Sequence, residues 1–206
     1  MNDVGFDVAS FTNRTAHSLF GIVSAVDPVN HAVKVRIQPD NLETGWIPDA
    51  CGVQAGNLRV SHPSSVGTHV VLQPVEGDGE HFVVTGIVFD TVVKPPVSPI
   101  TGVVAQAGEM LVMAGCGAPP LDGRLAGAPT DGGGWWHITS QGFFGGAGNA
   151  GFSIGNDLIR LFSGDVSLEL GAGGLKVSGG DVKTDLHSLN EHFHLVGSQK
   201  TEGPTG

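Results

Sequence analysis

Along residues 17–92, apolar and polar positions alternate with period two. In His31–Ile37 (HAVKVRI), Val33, Val35 and Ile37 share one face, and Ala32, Lys34 and Arg36 take the other. Leu19–Asp27 (LFGIVSAVD) is a second β-rich run, and Asp27-Pro28-Val29-Asn30 between the two has turn chemistry. Gly45–Pro48 predicts a short third strand that ends at proline. His69–Val75 and His81–Phe89 predict two more strands, which flank Glu76-Gly77-Asp78-Gly79-Glu80, a loop rich in residues that tolerate positive φ. Asp7–Ser18 has few apolar positions and predicts no more than a short helix. Further on, Leu158–Phe162, Val166–Leu170, Leu175–Val177 and Val182–Leu186 read as short strands separated by Gly/Asp/Ser turns. Val166, Leu168 and Leu170 face one way there, and Ser167 and Glu169 the other.

The pattern predicts an all-β chain. Five short strands with a long connection between the third and fourth suggest a small barrel of the OB type over residues 17–92. The later meander has one apolar face and nothing within the chain to cover it, and its open edges invite pairing. Short strands in repetition imply stacking. With about four units per chain, three intertwined copies closing a narrow prism is the economical solution.

Composition divides the chain near residue 92. Of 33 glycines, 9 fall in residues 1–92 and 24 in residues 93–206. Between the halves, Val93–Pro99 (VKPPVSP) carries three prolines and reads as a stiff neck. The expected order is an arm or short helix at 1–16, the barrel at 17–92, a neck with a glycine-rich insertion at 93–156, a triple-stranded β-helix at 157–186 and an apex at 187–206.

Charge narrows the function. Twenty acidic against ten basic residues give a net charge of −10. That disfavours a nucleic-acid groove, whose affinity comes from Lys and Arg releasing phosphate counterions, and it disfavours adhesion to anionic lipid. Residues 1–92 hold 10 acids and 4 bases, the reverse of a single-strand-binding barrel. No apolar run approaches the ~18 residues of a membrane helix, and the first residues lack the features of a secretory signal. Synthesis and assembly in the cytoplasm are therefore expected. Cys51 and Cys116 form neither a disulfide framework nor a zinc quartet and are expected as free thiols.

Three motif matches lack the context their chemistry needs. Gly151-Phe152-Ser153-Ile154-Gly155 fits G-x-S-x-G, but no helix follows to make a nucleophile elbow. Gly146–Gly151 fits G-x-G-x-x-G without the strand and helix that hold a pyrophosphate. Glu76–Glu80 resembles a fragment of a calcium loop but lacks the twelve-residue ligand spacing. His17, His31, His62, His69, His81 and His137 are scattered and read as surface or packing residues. His192 and His194 differ. On an extended backbone their imidazoles lie on one face, ~7 Å apart. A single H-x-H cannot hold a structural metal, but three chains meeting on an axis would supply six nitrogens, which suit an octahedral ion. His187 lies five residues earlier and need not point inward. No catalytic constellation stands out, and neither an enzyme nor a small-molecule substrate is expected.

The order of these parts resembles the baseplate assembly protein V family, the central spikes of contractile phage tails and related injection machines. The resemblance rests on Gly21–Pro28 (GIVSAVDP), Val33–Ile37, Trp46-Ile47-Pro48, Pro63–Leu72 (PSSVGTHVVL) and Gly86–Phe89 in the barrel. At the other end it rests on Ser188–His194 (SLNEHFH) and Gly203-Pro204. Together these cover roughly residues 17–92 and 157–204, whereas residues 100–156 match nothing in the family. Leu195-Val196-Gly197 stands where glycines are expected. The resemblance implies a homotrimeric virion protein at the tail tip, docked through its barrel on the baseplate hub and tail tube and directed at the host outer envelope. It further implies one iron ion per trimer held by His192 and His194, with another transition metal as the alternative. A non-piercing trimeric adaptor of a tail or secretion apparatus is the second reading, and an OB-fold single-strand nucleic-acid binder the third.

Overall fold

The structure, a computed structural model, describes residues 17–50, 52–76, 80–183, 185, 187–191 and 195–200. The described residues are all-β and contain no helix; 47% of them lie in strands or bridges, in antiparallel sheets. Residues 1–16, the segment expected as an arm or short helix, lie outside the described residues. Two compact units form: Met1–Pro95 with Gly117–Pro129, and Pro96–Cys116 with Thr130–Gly206.

In the first unit, β1 (Leu19–Asp27) pairs with β2 (Ala32–Ile37), which carries both β3 (Leu42–Glu43) and β4 (Ile47–Pro48). The other edge of β1 pairs with β7 (His69–Pro74), followed by β8 (Phe82–Ile87). All five strands expected from the alternation of residues 17–92 are therefore present. β3 was not anticipated, nor was the exposed hairpin of β5 (Val53–Ala55) and β6 (Leu58–Val60). A bulge between Val23 and Ala25 kinks β1, and the Ser24 hydroxyl at the bulge donates to Glu43 Oε1 at 2.7 Å. The ladder does not close: β4 approaches β8 without pairing to it.

The core follows from the alternation. Val33, Val35, Val23 and Val70 are completely buried, together with Leu72, and Ile47, Phe82 and Val84 pack around them. A thirteen-residue strap, Gly117–Pro129, belongs to this unit. Arg36 on the outer face of β2 donates two parallel hydrogen bonds to Asp122 of the strap, at 2.7 and 3.0 Å. The Pro119 carbonyl sits over Gly67, where a Cβ would come within 2.9 Å.

The second unit is a seven-stranded meander in which every strand pairs with its sequence neighbours. Its strands are β9 (Met110–Met113), β10 (Trp135–Thr139), β11 (Gly142–Ala147), β12 (Ala150–Gly155), β13 (Leu158–Ser163), β14 (Val166–Gly171) and β15 (Gly174–Ser178). From β10 onward each connection is two residues long, and the turns recur every eight residues: Ser140-Gln141, Gly148-Asn149, Asn156-Asp157, Gly164-Asp165 and Ala172-Gly173. Two-residue turns are the tightest hairpin connections and keep strand length and register uniform. A short hairpin, β16 (Leu195–Val196) and β17 (Gln199–Lys200), lies near the end of the chain.

The second unit departs from four expectations. Residues 93–156, read as neck and insertion, contain β9–β12, so no break exists at residue 157, where β12 turns directly into β13. The Gly145–Gly151 run is hairpin, because aromatic rings from the paired strands fill the space that side chains would take. The proline-rich neck is not a plain linker either: Val97 bridges Val104, closing an ordered hairpin. Val182–Leu186, expected as a strand, shows only a bridge from Lys183 to Ser188, while Thr184 and Leu186 lie outside the described residues.

Candidate functional site

Register sorts the meander into two unlike faces. Cross-strand partners share a face, and alternate residues along each strand return to it. One face carries Met110 and Val112, Trp136 and Ile138, Phe143, Phe152 and Ile154, Ile159 and Leu161, Val166, Leu168 and Leu170, then Leu175 and Val177. It holds no charged residue. Trp136, Phe143 and Phe152 form an edge-to-face chain across three strands, with ring centroids 6.3 and 5.1 Å apart. The opposite face is mixed: it carries Leu111, Met113, Trp135, Phe144, Leu158 and Phe162 beside His137, Ser153, Arg160, Ser167, Glu169 and Lys176, and Arg160 meets its paired Glu169 at 3.3 Å.

The apolar face is open. Eleven of its side chains, from Met110 to Leu175, are 36–64% exposed, and the buried apolar cluster lies wholly in the first unit. Six strand spacings of ~4.8 Å and six residues at ~3.3 Å give a surface of about 600 Å². That is at or beyond the largest apolar patch of a typical monomer, ~300–600 Å². The sequence placed Val166 and Leu168 on such a face. It missed the face's extension upstream through β9–β12.

The mixed face holds a buried polar centre. His137 is fully buried and Ser98 is 1% exposed. Ser98 Oγ lies 2.8 Å from His137 Nδ1, and His137 Nε2 lies 3.2 Å from Glu109 Oε2. The backbone N–H groups of Ile100 and Thr101 donate to Ser98 Oγ at 3.2 and 3.4 Å. With its lone pairs occupied, the hydroxyl donates its proton to Nδ1, which leaves an Nε2–H for Glu109. The Gln106 backbone N–H, and after it the His137 ring, holds the Glu109 carboxyl below its usual range. The trio has the composition of a nucleophilic triad, but its serine is sealed from solvent and bonded by two amides. It ties the 97–104 hairpin and the turn before β9 to the sheet. The chain separations, 39 and 28 residues, left no local signal for it in the sequence.

In the first unit the imidazole of His69 is also engaged, with Nδ1 2.6 Å from Asp90 Oδ2. The backbone N–H of Val93, then His69 and the N–H of Val92, lower the Asp90 carboxyl to about 2.

The chain matches no protein-family model and no curated protein.

Of the residues singled out in the sequence, His192 and His194 lie outside the described residues, as do Cys51 and Gly77–Gly79 of the acidic loop. Among the described residues no group of three His, Cys, Asp or Glu side chains could hold a metal ion. Cys116 is a free, exposed thiol. Ser153 of the G-x-S-x-G match sits in the middle of β12, paired with Phe144 and Arg160, where no sharp turn presents it. The G-x-G-x-x-G match spans the β11–β12 turn, in which Gly148 takes a φ of 54°. Nearer the end of the chain, Asp181 accepts hydrogen bonds from the Ser188 hydroxyl and, at 3.2 Å, from the Asn190 N–H.

Proposed function

We propose that this chain is the structural central spike of a contractile-tail baseplate, acting as a homotrimer. The barrel unit caps the hub at the end of the tail tube, and the glycine-punctuated unit forms an intertwined β-prism that carries the contraction force into the host envelope. The observation that carries this reading is the open apolar face of β9–β15. A surface of about 600 Å² on a sheet with regular eight-residue turns is a repeating element built to be covered by the same element from other copies. The resemblance of residues 17–92 and 157–204 to the baseplate assembly protein V family supplies the three-fold symmetry and the place in the tail. Many parallel backbone hydrogen bonds suit the work, since load divides among them. No catalysis is part of this function, and the sealed Ser98 hydroxyl supports a structural role for its trio.

The direct test is mass in solution. Light scattering is expected to give three times 21.1 kDa, and a monodisperse species of 21.1 kDa would overturn the reading. Particles whose spike lacks residues 130–206, a cut that follows the first unit's last segment, are expected to assemble a hub contact yet fail to infect.

The same reading includes one iron ion per trimer at His192 and His194. Those imidazoles bind metal only when neutral, so occupancy is expected to fall as the pH drops below ~6.5. Elemental analysis is expected to find about one metal per trimer, lost in His192→Ala and in His194→Ala and kept in His187→Ala. Metal-free wild-type protein prepared without chelator would remove the ion from the proposal and leave the spike standing.

A further inference from the structure

The apolar face of the second unit is graded in size across its width. Register sorts β11–β14 into rows that lie between two lines of turns. Beside Ser140-Gln141, Asn156-Asp157 and Ala172-Gly173 stand Phe143, Ile154, Ile159 and Leu170, all large. Beside Gly148-Asn149 and Gly164-Asp165 stand Ala147, Ala150, Ser163 and Val166, none larger than valine. The middle row alternates along the sheet instead: Gly145 separates Trp136 from Phe152, so a level without a side chain lies between the two largest ones. The two lines of turns are also offset from each other by one strand, because each strand turns back at the edge opposite to the one before. A size gradient and offset edges have a use where one margin of the face meets the other.

We infer that three copies stand with their apolar faces around one axis, and that the large row of each copy packs against the small row of the next. The inference rests on the trimer of the spike reading and adds which edges meet. Strand length sets the number of copies. Six residues at ~3.3 Å make a face ~20 Å wide, and three such faces put the axis ~6 Å from each sheet, near half the ~10 Å spacing of packed sheets. Four faces of that width would hold the axis ~10 Å from each sheet and leave the centre hollow, against the close packing of protein interiors. At each corner of a three-sided prism two faces close to ~60°, where two large rows collide and a large row fits against a small one. The contact is heterologous, and rotation by a third of a turn closes it. Every strand of β10–β15 takes its sequence neighbours as partners, so the copies meet along their turns, which mesh because they are offset. The ordinary twist of ~20° per strand turns each sheet by ~100° from β10 to β15, and the three sheets coil about one another.

The test uses the full chain carrying Cys51→Ser and Cys116→Ser, with one new cysteine in each row. Ile159→Cys is combined with Ser163→Cys on the same strand, or with Ala150→Cys or Val166→Cys one strand away. Within a chain the two rows lie four residues, ~13 Å, apart, beyond the ~7 Å reach of a disulfide, so any bond formed joins two copies. After oxidation at least one double variant is expected to run as a covalent trimer on a non-reducing gel and to return to single chains with reductant. Each of the four substitutions alone is expected to give single chains only. A second measurement needs no cysteine. Ser163 is exposed in the single chain, so Ser163→Leu crowds nothing there but fills the corner, and it is expected to dissociate the trimer in light scattering. If the unsubstituted chain is a trimer, the absence of any covalent trimer, a covalent dimer as the end product, or wild-type assembly by Ser163→Leu overturns this arrangement and leaves the spike reading standing. A mass of one chain for the unsubstituted protein overturns both.

Discussion

Phe152 lies across Gly145, its directly paired residue on the neighbouring strand, so closely that a Cβ on Gly145 would stand 2.5 Å from the ring. Phe162 stands the same way over Gly151 on the other face, at 2.7 Å. The two rings replace the side chains that the glycines lack, as aromatic residues do when they rescue glycine in a sheet. Glycine within a strand ordinarily weakens it. In β11 and β12 it makes room for the aromatic residues that hold the hairpin together.

Gly151→Ala is therefore expected to destabilise the protein by ~1–3 kcal/mol through overpacking. The new methyl would meet the Gly145 carbonyl oxygen at 2.6 Å as well as the ring, and backbone cannot step aside as a side chain can. Gly155→Ala, whose nearest neighbours would be 3.8 Å away, is expected to stay within ~0.5 kcal/mol of wild type. Urea denaturation of the two variants separates these outcomes.

The Ser98–His137–Glu109 centre gives a second expectation. His137→Ala leaves a buried hydroxyl and a carboxylate without their partner and should cost ~2–4 kcal/mol. In a double-mutant cycle, His137→Ala and Ser98→Ala should couple by more than ~0.5 kcal/mol. The pH dependence has a definite sign. Glu109 is held below its ordinary value, so its contribution is complete above the usual ~4.3 and is lost as the pH falls through the lowered value. The stability difference between wild type and Glu109→Gln should be flat near neutrality and shrink in acid.

The strands of the first unit were legible because one buried face dictates a period of two, and Val33 and Val35 fell on the face the alternation predicts. The hairpin β5–β6 was not legible, because all six of its residues are exposed and no core imposes a pattern on them. The glycine-rich stretch misled for another reason. Its strand signal resides in aromatic residues on the partner strands, as Phe162 does for Gly151, and such pairing is invisible along one stretch of chain. The same holds for His137, whose partners come from distant loops.

Arg36 and Asp122 supply a third prediction. Asp122 is 59% exposed, so solvent screens the pair and Asp122→Asn should change global stability little. The local effect should be larger. Arg124 and the 93%-exposed Leu125 lie in the same strap, and trypsin cleavage after Arg124 is expected to accelerate several-fold once the strap is released. Because Arg36 lowers the Asp122 carboxyl, the pair is intact above the usual ~3.9 and fails as the pH drops through the depressed value. High salt should mimic part of the substitution in wild type and change nothing in Asp122→Asn.

The last prediction concerns the apolar face itself. Leu161 and Leu168 are direct partners on β13 and β14, 51% and 36% exposed, at the middle of the six-residue strands. If the face is covered by two further copies, an Asp at either position puts three carboxylates together without partners, and burying an unpaired charge costs several kcal/mol. Leu161→Asp and Leu168→Asp are then expected to be insoluble or to lose the trimer in light scattering. Ser153→Asp places the same charge on the opposite face of the same sheet, beside Arg160, and is expected to leave the assembly intact. If all three variants assemble as wild type does, the face is not the interface. If all three fail alike, sheet stability rather than burial between copies is what the charge disturbs.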